Sequence, residues 1–76
     1  MQDFASGKTI SENIKKSRAK LGLTQDDLAK KADIKYTTLM KVESGAVNKP
    51  SVQTMAKIAK ALGVSIEELI EQTTER

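Results

Sequence analysis

The sequence predicts an all-α domain, a compact bundle of five short helices, and three observations carry that expectation. A hydroxyl-bearing residue followed three places later by a carboxylate recurs in TISE, TQDD and SIEE, the arrangement that closes a helix N-terminus. Gly22, Gly45 and Gly63 fall where apolar patterns of helical period stop, as left-handed C-terminal residues do. No stretch offers strands comparable support.

Taken in order, the first helix is expected to open at Thr9, with Glu12 completing a capping box, and to stop at Gly22. Ile10, Ile14 and Leu21 give it an inner face. The second opens at Thr24 with Asp27 in the corresponding place, runs to about Lys31, and turns Leu28, Ala29 and Ala32 inward. A third, from about Lys35 to Ser44 and ended by Gly45, buries Leu39 and Val42. After the loop GAVNKP, Ser51 starts a fourth helix that Gly63 ends; Val52, Met55, Ile58, Ala59 and Leu62 form its inner side. Ser65 and Glu68 cap a short fifth, where Val64, Ile66, Leu69 and Ile70 join the core. Residues 1–8 and 72–76 show no periodicity and are expected to be a loose arm and tail around a domain spanning 9–71.

Composition narrows the function. At 76 residues the chain holds one small domain, and with Phe4 and Tyr36 its only aromatics the core must be aliphatic. Cysteine and histidine are absent, which removes disulfides, thiolate metal sites, the commonest metal ligand and the commonest general base. The expectation is a protein that is not an enzyme and uses neither metal nor cofactor. No apolar run approaches a membrane span and MQDFASGKTI lacks a signal-peptide core, so a soluble cytoplasmic chain is expected. Charge is uneven: residues 1–65 carry 12 Lys and Arg against 6 Asp and Glu, while residues 66–76 carry 1 against 4. A basic body suits a polyanion such as nucleic acid, although scattered lysines also serve solubility alone.

The second and third helices are too short to persist alone, and only Ala32-Asp33-Ile34 joins them, so packing must hold them at a large angle. Asp33 can take the left-handed conformation such a turn needs, and Ile34 plugs the space beneath the third helix. At about 100° per residue, Leu39 and Val42 define the buried side of that helix. Thr37, Lys41 and Ser44 then lie nearly opposite, flanked by Thr38 and Met40. A major groove accepts such a face: Lys41 can donate to guanine, Thr37 can touch a thymine methyl, and Tyr36 can reach a base edge or a phosphate. The competing reading is a solvated helix surface.

Arg18 falls on the apolar stripe of the first helix and Glu43 on the inward face of the third, so the two charges are expected to pair, unless each reaches water separately. Gln25, at the first position of the second helix, sits where free N–H groups favour a DNA phosphate, with Asp26 and Asp27 competing for that positive end. Asn48 and Lys49, before Pro50, can brace the backbone beside the groove; Lys49 can equally be a plain surface lysine.

Over Ile10–Ile70 the sequence resembles the Cro/C1-type helix-turn-helix family of phage repressors and small bacterial regulators, through LGLTQDDLAKKADI, the spaced leucine before VESG, and NKPSVQTMAKIAKALGVSIEELI. The resemblance implies a lambda-repressor-like fold with the third helix in the major groove of double-stranded DNA. It implies base contacts from Tyr36, Thr37 and Lys41, with Thr38 and Met40 nearby. Phosphate contacts are implied for Gln25, Ser44, Asn48 and Lys49, and an ion pair for Arg18 and Glu43. Three positions depart from the family pattern: Asp33 stands where glycine is usual, Lys35 where a Ser or Thr cap is usual, and Tyr36 where many relatives carry Gln. Relatives generally bind palindromic operators as homodimers, and Ile66 and Ile70 offer a stripe for such an interface, or else simply close the core. The expected function is a sequence-specific DNA-binding transcriptional regulator, bacterial or phage-encoded and nucleoid-associated when bound, acting as a repressor. The rival is an antitoxin-like module whose main contact is a partner protein and whose DNA binding serves autoregulation.

Overall fold

The computed structural model describes residues 7–46 and 50–71. Five helices follow one another: α1 (Gly7–Leu21), α2 (Gln25–Ala32), α3 (Tyr36–Glu43), α4 (Val52–Leu62) and α5 (Ile66–Ile70), with no strand among the described residues. Their ends obey local chemistry. Thr24 caps α2 by accepting from the N–H of Asp27 at 3.0 Å, while its own N–H donates to Asp27 Oδ2 at 3.0 Å. Ser65 and Glu68 repeat this reciprocal pair at α5, and Ser51 Oγ accepts from the N–H of Thr54 at α4. Gly22, at φ 69°, follows α1 in the left-handed region, where the N–H of Leu23 donates back to the carbonyl of Arg18 at 3.1 Å.

The start of α1 differs from expectation. The helix begins at Gly7, so Thr9 is an interior residue rather than its cap, and Gly7 and Lys8 belong to the bundle rather than to an arm. Neither residue forbids helical backbone, and the added backbone hydrogen bonds outweigh a local hydroxyl cap. The other residues assigned to the arm and tail lie outside the described residues.

Ile10, Ile14, Leu28, Leu39, Val42, Met55, Ile58, Leu62 and Leu69, with four alanines, form one aliphatic core. Ile34, Val64, Ile66 and Ile70 pack half-buried against it. Two expected core members face water instead: Leu21 is 50% exposed and Val52 76%. Each is a terminal residue of its helix. A helical side chain leans toward the helix N-terminus, so Val52 at the first position leans off α4 toward the preceding loop, while Leu21 lies beyond the surface that covers α1.

Polar groups on α1 tie this bundle together. Ser11, buried beside Ile10, donates to the main-chain carbonyl of Glu43 at the end of α3. Asn13 Nδ2 donates to the carbonyls of Leu69 at 2.7 Å and Glu71 at 2.9 Å, satisfying groups that the end of α5 leaves open. Consequently α1 orients both α3 and α5.

Candidate nucleic-acid interface

The break between α2 and α3 consists of Asp33, Ile34 and Lys35. Asp33 adopts φ 60° and ψ 47°, inside the left-handed region and the one non-glycine there among the described residues. Its N–H donates to Lys30 and that of Ile34 to Ala29, closing the C-terminus of α2 within a single residue. Ile34 then turns onto the core. This chemistry lets two eight-residue helices meet through so little chain.

α3 has no side-chain cap at its start, because Lys35 occupies the N-cap position. Its orientation comes from behind. Leu39 and Val42 are buried, and Glu43 is 1% exposed. Arg18 Nε donates to Glu43 Oε2 at 2.9 Å and another guanidinium nitrogen to Oε1 at 3.1 Å, a two-pronged ion pair between α1 and α3. The same guanidinium donates to the carbonyl of Leu23. The positive side chain thus joins the end of α1 to the end of α3.

The outward face of α3 carries Tyr36, Thr37, Met40 and Lys41, all exposed, with Thr38 half-buried at the flank. Lys41 is exposed and forms no ion pair among the described residues. Met40, 41% exposed, places an apolar thioether beside it. This pairing of a cation, hydroxyls and a soft apolar group is what a base edge can use.

Other expected contact residues are placed differently. Ser44 is exposed, but its Oγ donates to the carbonyl of Lys41 and accepts from the N–H of Ala46, so it shapes the end of α3. Gln25 is half-buried, and its amide is engaged inside the domain. Nε2 donates to Glu43 Oε1 at 3.0 Å, and Oε1 accepts from the hydroxyl of Tyr36 at 3.3 Å. Asn48 and Lys49 lie outside the described residues. Ile66 and Ile70 are half-buried against the core.

Sequence reasoning missed three participants: Ser11, Asn13, and the link from Gln25 to Tyr36. Ser11 and Asn13 flank the core residues Ile10 and Ile14, and polar residues beside an apolar stripe are the available signal. Near the head of α2, the Thr24 N–H, then the Thr24 hydroxyl, hold the Asp27 carboxyl below its ordinary value of 3.8, with Lys30 adding to the shift. No group of His, Cys, Asp and Glu suited to a metal is found among the described residues.

This arrangement of α2, a tight left-handed turn and an outward-facing α3 coincides with a known family, whose helix-turn-helix profile matches residues 14–69. The chain belongs to the helix-turn-helix family. An uncharacterized HTH-type transcriptional regulator of Archaeoglobus fulgidus is 41% identical over 56 residues, covering 74% of this chain and 79% of its own length. The immunity repressor protein of Bacillus phage phi105 is 33% identical over 66 residues, and this chain spans 87% of itself but 45% of that repressor. Among solved structures, SinR, the master regulator for biofilm formation, in complex with DNA is similar at a TM-score of 0.76 and 32% identity, over 79% of this chain and 95% of that one. These three helix-turn-helix relatives are regulators.

Proposed function

We propose that this protein is a sequence-specific DNA-binding transcriptional regulator that inserts α3 into a major groove and represses by occupying its operator. The observation that carries the reading is the division of α3 into two faces. Its inner side is held by Leu39, Val42 and the Arg18–Glu43 pair, while Tyr36, Thr37, Met40 and Lys41 perform little structural duty and face outward. A helix held from behind in this way presents its side chains in fixed register, which base recognition requires.

In this reading Lys41, Thr37 and Tyr36 contact bases, with Met40 and Thr38 adding apolar contact to a thymine methyl. Gln25 contributes to phosphate binding through the N-terminal N–H groups of α2, because its side chain is engaged elsewhere. Ser44, Asn48 and Lys49 are assigned the remaining phosphate contacts. Two copies bind a palindrome, with half-sites about one helical turn apart, and α5 supplies the dimer contact through Ile66 and Ile70. No described helix is long and apolar enough to cross a membrane.

Selection of bound duplexes from a random pool at about 0.15 M salt, where charge-only binding is weak, tests this reading. An inverted repeat should be enriched. A folded helical chain that enriches no motif overturns the assignment and directs the search to a protein partner.

A further inference from the structure

The side chains linking Arg18 to Tyr36 form a relay with a fixed direction. Glu43, carrying the Arg18 guanidinium on both of its oxygens, offers only lone pairs to its neighbours. Gln25 must therefore turn its amide NH2 toward Glu43, since the reversed amide would set oxygen against oxygen. That leaves Oε1 of Gln25 as an acceptor directed at Tyr36, whose hydroxyl donates to it at 3.3 Å. A phenol has one hydrogen to give. With that hydrogen used on Gln25, the Tyr36 oxygen has only lone pairs left for a molecule approaching α3, and Tyr36 is 44% exposed.

We propose that Gln25 sets Tyr36 as a hydrogen-bond acceptor toward DNA, so that Tyr36 selects a base carrying an exocyclic amine, adenine or cytosine, on the strand it faces. The inference rests on the reading that α3 enters a major groove. There, the adenine N6 and cytosine N4 amines are donors, whereas guanine N7 and O6, thymine O4 and every phosphate oxygen are acceptors. An acceptor against an acceptor repels, so guanine, thymine and phosphate are all disfavoured partners. Each base pair carries one such amine, on one strand. Tyr36 thus reads which strand bears it, and discriminates amino from keto bases without separating adenine from cytosine. Gln25 is a positioning residue, and Tyr36 the group in contact.

Random-pool selections with the wild type, Tyr36→Phe, Gln25→Ala and Gln25→Met test the relay, Gln25→Met being the variant that keeps the side chain's bulk. The base pair whose preference relaxes in Tyr36→Phe identifies the Tyr36 contact. At that pair the wild type should prefer adenine or cytosine over guanine or thymine on one strand by about fivefold, the scale of a single hydrogen bond. Both Gln25 variants should bring that ratio near one while leaving the preferences at other base pairs in place. Combining Gln25→Met with Tyr36→Phe should produce no further loss. A preference at that pair for A·T over G·C, or the reverse, with no bias as to which strand bears the amine, would overturn the proposal, as would an unchanged ratio in the Gln25 variants. So would a Tyr36→Phe effect that weakens all sequences alike, the signature of a phosphate contact. In those outcomes the motif elsewhere survives. If the wild type enriches no motif at any position, the DNA-binding reading falls, and the relay with it.

Discussion

Helices α2 and α3 are both eight residues long, and they are stabilised in opposite ways. α2 closes itself: a reciprocal capping box at Thr24 and Asp27, acidic residues in its first turn, lysines in its last, and a left-handed Asp33 at its end. α3 has none of these at its start. Lys35 provides no side-chain cap, no carboxylate stands in its first turn, and its order comes from Leu39, Val42 and the buried Glu43. The difference follows from the work each helix does. Charges and caps that steady an isolated helix would occupy the N-terminal turn of α3, where Tyr36 and Thr37 face outward. Stabilisation from behind leaves that turn open.

The largest test of this contrast is Leu39→Ala, which removes a fully buried side chain from the inner face of α3 and should cost about 4 kcal/mol by chemical denaturation. Arg18→Ala should cost about 2–3 kcal/mol in the same measurement. That lies below the full cost of breaking a buried pair, because Arg18 keeps 21% of its side chain exposed while Glu43 keeps 1%. Thr24→Ala should cost about 1 kcal/mol through the loss of the α2 cap. Its mirror is Lys35→Ser, which gives α3 the cap it lacks and should raise stability by about 0.5 kcal/mol; a loss there would show that Lys35 has a structural role of its own. The smallest effect concerns acid. Because the folded Asp27 carboxyl is held below its ordinary 3.8, its contribution is present above that value and is lost as pH falls through the lower folded value. Acid unfolding of the wild type should accordingly show a greater loss of stability below pH 3.8 than that of Asp27→Asn.

The same contrast explains what could be read in the sequence. Thr24 with Asp27, Ser65 with Glu68, Ser51, Gly22 and Gly63 act within a few residues of themselves, and local spacing reveals them. Asp33 was legible for the same reason, since the turn admits few side chains. The residues that escaped act across the fold. Ser11 and Asn13 look like interruptions of a helical stripe until the ends of α3 and α5 arrive above them. Gln25 reads as an N-terminal residue facing a phosphate until Glu43 and Tyr36 take its amide. Thr9 resembles a cap because a local signal cannot reveal that a helix gains by extending beyond it. Leu21 and Val52 keep the apolar period, but periodicity does not report where the covering surface ends. On α3, the wheel separates the outward residues from Leu39 and Val42, because the face of a helix follows from its period alone. What each outward side chain accepts or donates depends on neighbours distant in sequence.

The bonds from Asn13 to Leu69 and Glu71 have a consequence for how the chain is made. The buried amide of Asn13 finds its acceptors 56 and 58 positions later, at the end of α5. During synthesis, α1 through α4 can emerge with their caps and turns ready, yet the amide has no acceptor from α5 until that helix clears the ribosome. The docking of α1 against α5 is therefore tied to the appearance of α5.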